Sequence, residues 1–250
     1  MRVDDVTHQE AMSHCATLVA DSVPRYVVTP NPEFVMVARK DSEFRAILKR
    51  SDLSIPDGGG LLLAARLRGT PLREQVRGTD LAYKLVEMAP RRNWRLFLLG
   101  AAPGVAESAA HKLQQRYPGL AIAGTFAGEA RPAGDAATTE AIRRAGRCDL
   151  LFVAYGVNRQ ERWIARNLSD LDVGLAIGVG GVLDFMSGRV RRAPYAIRRI
   201  GLDWLFRLII QPHRFRRQMN TIPPFLALAV GEAVRHRYAE ARAARARDRT

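Results

Sequence analysis

This sequence predicts an α/β fold: an open parallel sheet with helices on both faces, followed by a C-terminal helical basic appendage. Three observations carry the prediction. Runs such as Leu96-Phe97-Leu98-Leu99 and Leu150-Leu151-Phe152-Val153 are apolar without alternation, the pattern of strands buried on both faces. Longer segments of helical periodicity separate them. Several of the runs end in Gly, Pro or small polar residues, at the sheet edge where open α/β sheets place ligands.

Taken in order, Thr7-His8-Gln9-Glu10 fits a capping box and opens a first helix to about residue 19. Tyr26-Val27-Val28 is a short strand, and Thr29-Pro30-Asn31-Pro32 stops it because proline cannot continue a ladder. Residues 33–50 read as a single helix. Leu53-Ser54-Ile55 is a strand ended by Pro56, and Gly58-Gly59-Gly60 allows a tight turn into a helix over 61–67. Gly78-Thr79-Asp80 opens a helix over 81–89. A strand over 95–99 closes on Gly100-Ala101-Ala102-Pro103-Gly104, and a helix follows over 105–117. The strand over 120–126 leads to a Gly-, Ala- and Thr-rich stretch, 127–139, that reads as a loop before a helix over 140–145. After the strand 150–154 come the turn Gly156-Val157-Asn158-Arg159-Gln160-Glu161 and a helix over 162–168. The strand 174–177 runs into Gly178-Val179-Gly180-Gly181. Past Gly188 the pattern changes. Arg192-Ala193-Pro194 leads into an amphipathic helix over 196–210 that Pro212 stops. A basic run, His213-Arg214-Phe215-Arg216-Arg217, precedes a helix that follows Pro223-Pro224 and decays into a frayed Arg/Ala tail. The expected division is a core over 1–190 and an appendage with its tail over 191–250.

Composition narrows the function. The 250 residues are 47% hydrophobic and 26% charged, as in a globular chain. Net charge is +14, and the part from Arg189 onward holds +11 of it. An anionic partner is therefore expected, and the C-terminal quarter should meet it. Cys15 and Cys148 lie far apart without metal-ligand spacing, which suits a reducing compartment. Met1 to Glu10 is polar, so no signal peptide is expected there. No run approaches the roughly 18 apolar residues of a spanning helix, so membrane contact would be peripheral.

Thr29 and Asn31, Asp57, and Asn158 with Gln160 and Glu161 stand at three strand ends. Gly178, Gly180 and Gly181 form a fourth. A doubly wound sheet would gather them around one crevice. Two readings of Asp57 stay open, an N-cap of the next helix and a carboxylate facing a ligand. Two also stay open for the Gly178 loop, a phosphate cradle and a plain tight turn. The glycines at 100 and 104 lack the dinucleotide-binding spacing. No HExxH or Ser/His/Asp pattern occurs, the histidines are scattered, and Asp170-Leu171-Asp172 precedes a strand at the wrong edge. Neither a metal site nor a cofactor is expected. The basic aromatic helix over 196–210 could pack on the core, lie on an anionic membrane or bind nucleic acid. Its Ile197, Ile200, Trp204, Phe206 and Leu208 favour the first two.

The same residues resemble the WecG/TagA/CpsF family of bacterial glycosyltransferases, glycosyltransferase family 26. The likeness runs from about Val3 to Gln218. Its motifs come in order: Thr29-Pro30-Asn31-Pro32-Glu33, Ile55-Pro56-Asp57-Gly58, Val76-Arg77-Gly78-Thr79-Asp80-Leu81, Leu98-Leu99-Gly100, Gln160-Glu161, Gly178-Val179-Gly180-Gly181 with Asp184, Arg192-Ala193-Pro194, and 202–208 with Pro212 and Arg214. The resemblance implies a Rossmann-like core and a metal-independent, inverting transfer. The sugar, N-acetylmannosamine, its uronic acid or glucose, would pass from a UDP-sugar to a polyprenyl-diphosphate-linked saccharide, for cell-surface polysaccharide. It implies a cytoplasmic enzyme, peripheral on the inner face of the cell membrane, docked by its appendage on an anionic surface. Asp57 matches the general base, and Thr29, Asn31 and Gln160 match pocket residues, Thr29 being counted with Asp57 as catalytic. Gly178, Gly180 and Gly181 are candidate substrate contacts. Gln75, Arg77, Asp80 and Arg192 fall within or beside its motifs as candidate substrate contacts. Arg207 and Arg214 would reach the diphosphate. Gln75 stands where the family usually has Arg, and the family's Pro before the basic residue of the Gln160 loop is missing. The tail beyond Pro224 has no counterpart in the resemblance. The rival reading is a non-catalytic nucleotide-binding module tethered to the membrane. Self-association stays open, and nucleic acid is not an expected partner.

Overall fold

The apolar runs fold as strands β1 (Arg25–Val28), β2 (Leu53–Ser54), β3 (Arg95–Gly100), β4 (Ala121–Phe126), β5 (Cys148–Ala154) and β6 (Val173–Gly178). A computed structural model describes residues 1–194, 196–197, 203–210 and 215–247, excepting the side chains of 203–204, 207, 237 and 239–247. Among the described residues the strands make one parallel sheet in the order β2-β1-β6-β5-β3-β4. Val27 pairs with Leu53 on one side and Ile177 on the other, and Phe152 pairs with Ile177 and Leu98. The carboxyl ends of β2, β1, β6 and β5 are thereby adjacent.

The helices are α1 (His8–Val19), α2 (Pro32–Lys40), α3 (Ser42–Arg50), α4 (Gly59–Leu67), α5 (Gly78–Arg92), α6 (Val105–Arg116), α7 (Asp135–Ala145), α8 (Arg159–Asn167), α9 (Val182–Met186), α10 (Asp203–Ile210), α11 (Phe215–Met219) and α12 (Ile222–Arg247). Side chains alternate across the pleat. Leu96, Leu98, Leu150 and Phe152 join one buried cluster with Leu81 and Leu85 of α5 and Leu113 of α6. Phe97, Leu99, Leu151 and Val153 join another with Ile142 of α7 and Trp163 of α8. A third cluster packs Val28 against Phe34 of α2 and Phe44 and Leu48 of α3. Continuous apolar strands were needed because both faces are covered.

The single helix expected over 33–50 is two. Asp41 is extended (φ −129°, ψ 102°) and its Oδ1 accepts the Phe44 N–H at 2.9 Å, so it ends α2 and caps α3. Basic Arg39-Lys40 followed by Asp-Ser-Glu carried that stop-and-start signal. The loop expected to residue 139 becomes helix at Asp135, because Thr138, Thr139 and Ile142 are buried and tertiary packing overrides their weak propensity. The turn at 156–161 likewise becomes helix at Arg159. The expected C-terminal helix, α12, runs to Arg247 and begins at Ile222, with Pro223 and Pro224 in a first turn that needs no N–H donor. Phe225, Ala229 and Ala233 recur every fourth residue and are buried, the first two against the α2–α4 side of the core. Of the amphipathic helix expected over 196–210, residues 196–197 and 203–210 are helical. Ile200, Pro212, His213 and Arg214, and the side chains of Trp204 and Arg207, lie outside the described residues.

Candidate active site

Proline and glycine shape the first strand ends. β1 exits through Thr29, which is buried, to Asn31, whose Oδ1 caps α2 by accepting the N–H groups of Glu33 (2.9 Å) and Phe34 (3.3 Å). β2 exits through Pro56 to Asp57, whose N–H donates to Pro30 O at 2.9 Å. The two exits are thus tied together. Val76 N–H in turn donates to Pro56 O at 3.0 Å, which brings the start of α5 alongside. A Cβ on Gly78 would lie 3.0 Å from Thr29 Cγ2 and 3.4 Å from Asp57 Oδ2. Glycine there lets the carboxylate, the threonine and the helix start converge. Gly58, at φ +107°, takes the N-cap position of α4, the place that Asp57 would have needed to cap that helix.

The other two exits are joined by one side chain. Gln160 Oε1 accepts the Gly156 N–H at 3.1 Å and the Gly180 N–H at 3.0 Å. Its Nε2 donates to Glu161 Oε1 at 2.7 Å, and Glu161 Oε2 accepts the Asn158 N–H at 2.7 Å. Glu161 is buried. Loss of hydration raises its carboxyl, the bonds from Gln160 and Asn158 oppose this, the Glu33 charge adds to it, and the balance stands at about 7. The Gly180 N–H, which a phosphate cradle would have needed, thus goes to Gln160.

These exits surround a crevice of about 150 Å³ whose lining includes Thr29, Asn31, Asp57, Gln160, Gly178, Gly180 and Gly181. Glu33, Gly78 and Arg217 line it too and were not among the expected site residues. Arg217 comes from α11 and pairs with Glu33 at 3.2 Å. The basic run around it was visible in the sequence, but its reach to Glu33 is a tertiary fact. Gln75, Arg77, Asp80 and Arg192 do not line the crevice. Asp80 pairs with Arg192, whose guanidinium lies 5.5 Å from the centre of the Tyr83 ring. This fastens the chain leading to the appendage onto α5. Among the described residues, no three His, Cys, Asp or Glu side chains gather to hold a metal ion. Asp172 of the Asp-Leu-Asp triplet pairs with Arg147 at 3.1 Å, at the amino-terminal edge of the sheet.

The Glycosyl transferase WecG/TagA/CpsF family matches residues 1–239, nearly the whole chain. The chain belongs to this family. The match continues past Pro224 and takes in most of α12, so that helix is part of the family pattern, contrary to the expectation for the tail. A curated relative from Bacillus spizizenii (strain ATCC 23059 / NRRL B-14472 / W23) is 33% identical over 216 residues, 86% of this chain and 82% of its own. One from Bacillus subtilis (strain 168) is 32% identical over 82% of this chain and 79% of its own. One from Staphylococcus aureus (strain NCTC 8325 / PS 47) is 29% identical over 89% and 87%. Each is named N-acetylglucosaminyldiphosphoundecaprenol N-acetyl-beta-D-mannosaminyltransferase. This WecG/TagA/CpsF chain is accordingly a glycosyltransferase, and its crevice sits where an open α/β sheet holds a ligand.

Proposed function

We propose that this chain moves a sugar of the N-acetylmannosamine type, or glucose, from a UDP-sugar to a polyprenyl-diphosphate-linked saccharide with inversion at the anomeric carbon. The observation that carries the reading is the Asp57 carboxylate, set beside Thr29 over the bare backbone of Gly78, at the edge where the sheet opens. The names of the relatives supply the acceptor class. In a single displacement the acceptor hydroxyl oxygen bonds to the anomeric carbon as the bond from that carbon to the UDP oxygen breaks. The hydroxyl proton passes to Asp57, acting as general base. UDP leaves with a new negative charge. UDP's charge would be met by Arg217, which lines the crevice, and by Arg207 and Arg214, the arginines that the family resemblance points to, without a metal. A crevice of about 150 Å³ is smaller than the roughly 300–1,000 Å³ of whole-ligand sites. It would hold the reacting sugar, with the nucleotide extending under the appendage.

The acceptor's lipid stays in a bilayer, so the enzyme must work at its surface. None of the described helices is long and apolar enough to cross a membrane. Leu205, Ile209, Ile210 and Phe215 on α10 and α11 are exposed within the basic segment, which supports docking on an anionic surface. The direct test offers UDP-N-acetylmannosamine, its uronic acid, UDP-glucose and UDP-N-acetylglucosamine with a lipid-linked N-acetylglucosaminyl diphosphate acceptor and follows extension of the lipid-linked product. Extension with the first is expected. No product with any donor would overturn the proposal.

A further inference from the structure

Gln160 and Glu161 are neighbours in the first turn of α8, and both are buried, yet the displacement above uses no atom of Glu161. Position 178 shows how closely they are enclosed. A Cβ there would stand 2.4 Å from Gln160 Nε2 and 2.7 Å from Glu161 Oε1, so the pair keeps its place only beside glycine.

The donors and acceptors around the pair fix where protons can be. The Gly156 and Gly180 amides can only donate, so Gln160 must turn its oxygen to them. Its Nε2 then faces Glu161 Oε1, while Glu161 Oε2 faces the Asn158 N–H. Both carboxyl oxygens therefore meet donors, which suits a carboxylate. A proton on Oε1 would oppose Gln160 Nε2. Flipping the Gln160 amide to receive that proton would turn Nε2 against both glycine amides. A proton on Oε2 would oppose the Asn158 N–H.

We propose that Glu161 is a positioning residue: its carboxylate locks the Gln160 amide, and through it holds the Gly156 and Gly180 loops together across the crevice. The enclosure of Glu161 places its ionisation near neutrality, where the lock can open and close. From α2, Glu33 adds negative charge and is itself paired with Arg217 of α11. From α3, Asp41 and Glu43 are engaged by Arg162, and from α7 Asp135 is engaged by Arg166. Asp170 lies beyond the far end of α8, and Arg159 stands near Gly156. The strands beside the pair contribute backbone and Gly178. The effect on transfer rests on the crevice being the donor site, but the lock itself does not.

The test is a pH titration of the full-length, ¹⁵N-labelled protein, following the Gly156 and Gly180 amide resonances from about pH 5.5 to about 8.5, a window bracketing an acid that titrates near 7. In the wild type both should move with one common midpoint near 7. In Glu161→Gln, a change of similar size without the titrating proton, both should stay flat. Transfer measured alongside should fall about tenfold per pH unit below that midpoint in the wild type and lose that limb in the variant. Flat glycine resonances in the wild type, or the same titration in the variant, would overturn the lock. A common titration that the variant abolishes, with no transfer from any donor, would uphold the lock while the proposed function fails.

Discussion

Gly78 and Asp57 show how little room the proposed general base is given. Adding one methyl at position 78 puts an atom 3.0 Å from Thr29 Cγ2 and 3.4 Å from Asp57 Oδ2, so something at the crevice floor must shift. Position 78 is the first residue of a helix, not a left-handed turn, so alanine there does not strain the backbone. Gly78→Ala should therefore fold with only a modest loss of stability and lose transfer by up to about 10²-fold, the cost of misplacing a reacting group by about 1 Å. Calorimetry beside a turnover assay checks both halves. Glu161 gives a prediction about stability. Its carboxyl is raised from 4.5 to about 7 in the folded chain, so the folded state binds the proton more tightly than the unfolded state does. Stability should fall as pH rises from about 4.5 to 7, by at most about 3 kcal/mol, and stay level above that. Denaturant unfolding at about pH 5 and pH 8 should show the wild type losing ground to Glu161→Gln across that interval. Parallel stability profiles for the two proteins would contradict the assigned pKa direction.

Elements divide into those whose sequence pattern decides them and those that packing decides. β3 and β5 were legible because covered strands need continuous apolar residues. The α2–α3 break was signalled by Asp41 but obscured by apolar residues that continue the helical period on either side of it. The start of α7 was hidden, since Thr138 and Thr139 favour helix only once buried. The C-terminal helix itself was legible, but its packing was hidden for a different reason: a segment that runs on into Arg and Ala reads as solvated, and only the burial of Phe225, Ala229 and Ala233 shows that its first half belongs to the core. Phe225→Ala should cost about 3–5 kcal/mol, as for other buried phenylalanines. The neighbouring α10 and α11 should behave oppositely. Ile209 is 72% exposed and Phe215 51%, so changing both to Asp should leave the melting temperature nearly unaltered. Each apolar side chain moved from water into lipid contributes about 1.5–3 kcal/mol, so binding to anionic liposomes should drop by more than about 10²-fold. Undiminished co-sedimentation of that double variant would place the membrane contact elsewhere.

For the whole molecule, the strand order brings together what the sequence scatters. Thr29, Asp57 and Gln160 belong to distant segments, and each was legible singly as a polar residue at a strand end. Their shared crevice follows from β2, β1, β6 and β5 lying side by side. What the sequence concealed was the use of each group: the Gly180 amide is occupied by Gln160, and Arg217 reaches Glu33 from a segment far along the chain. The +11 charge of the C-terminal quarter gives the molecule an attractive end at roughly 1 kcal/mol per basic residue near an anionic surface. Liposome binding should therefore weaken as salt shortens the screening length below about 10 Å. Turnover should survive excess EDTA, and loss of activity restored by Mg²⁺ would contradict the metal-independent displacement. The central claim is that Asp57 takes the proton in a glycosyl transfer. The most direct measurement is single-turnover transfer by Asp57→Asn, with UDP-sugar affinity determined on the same preparation. The account predicts transfer lowered by about 10²–10⁴-fold with donor affinity within a few-fold of wild type. An Asn variant that keeps more than about a third of wild-type turnover, far above the loss expected for a missing base, would contradict it.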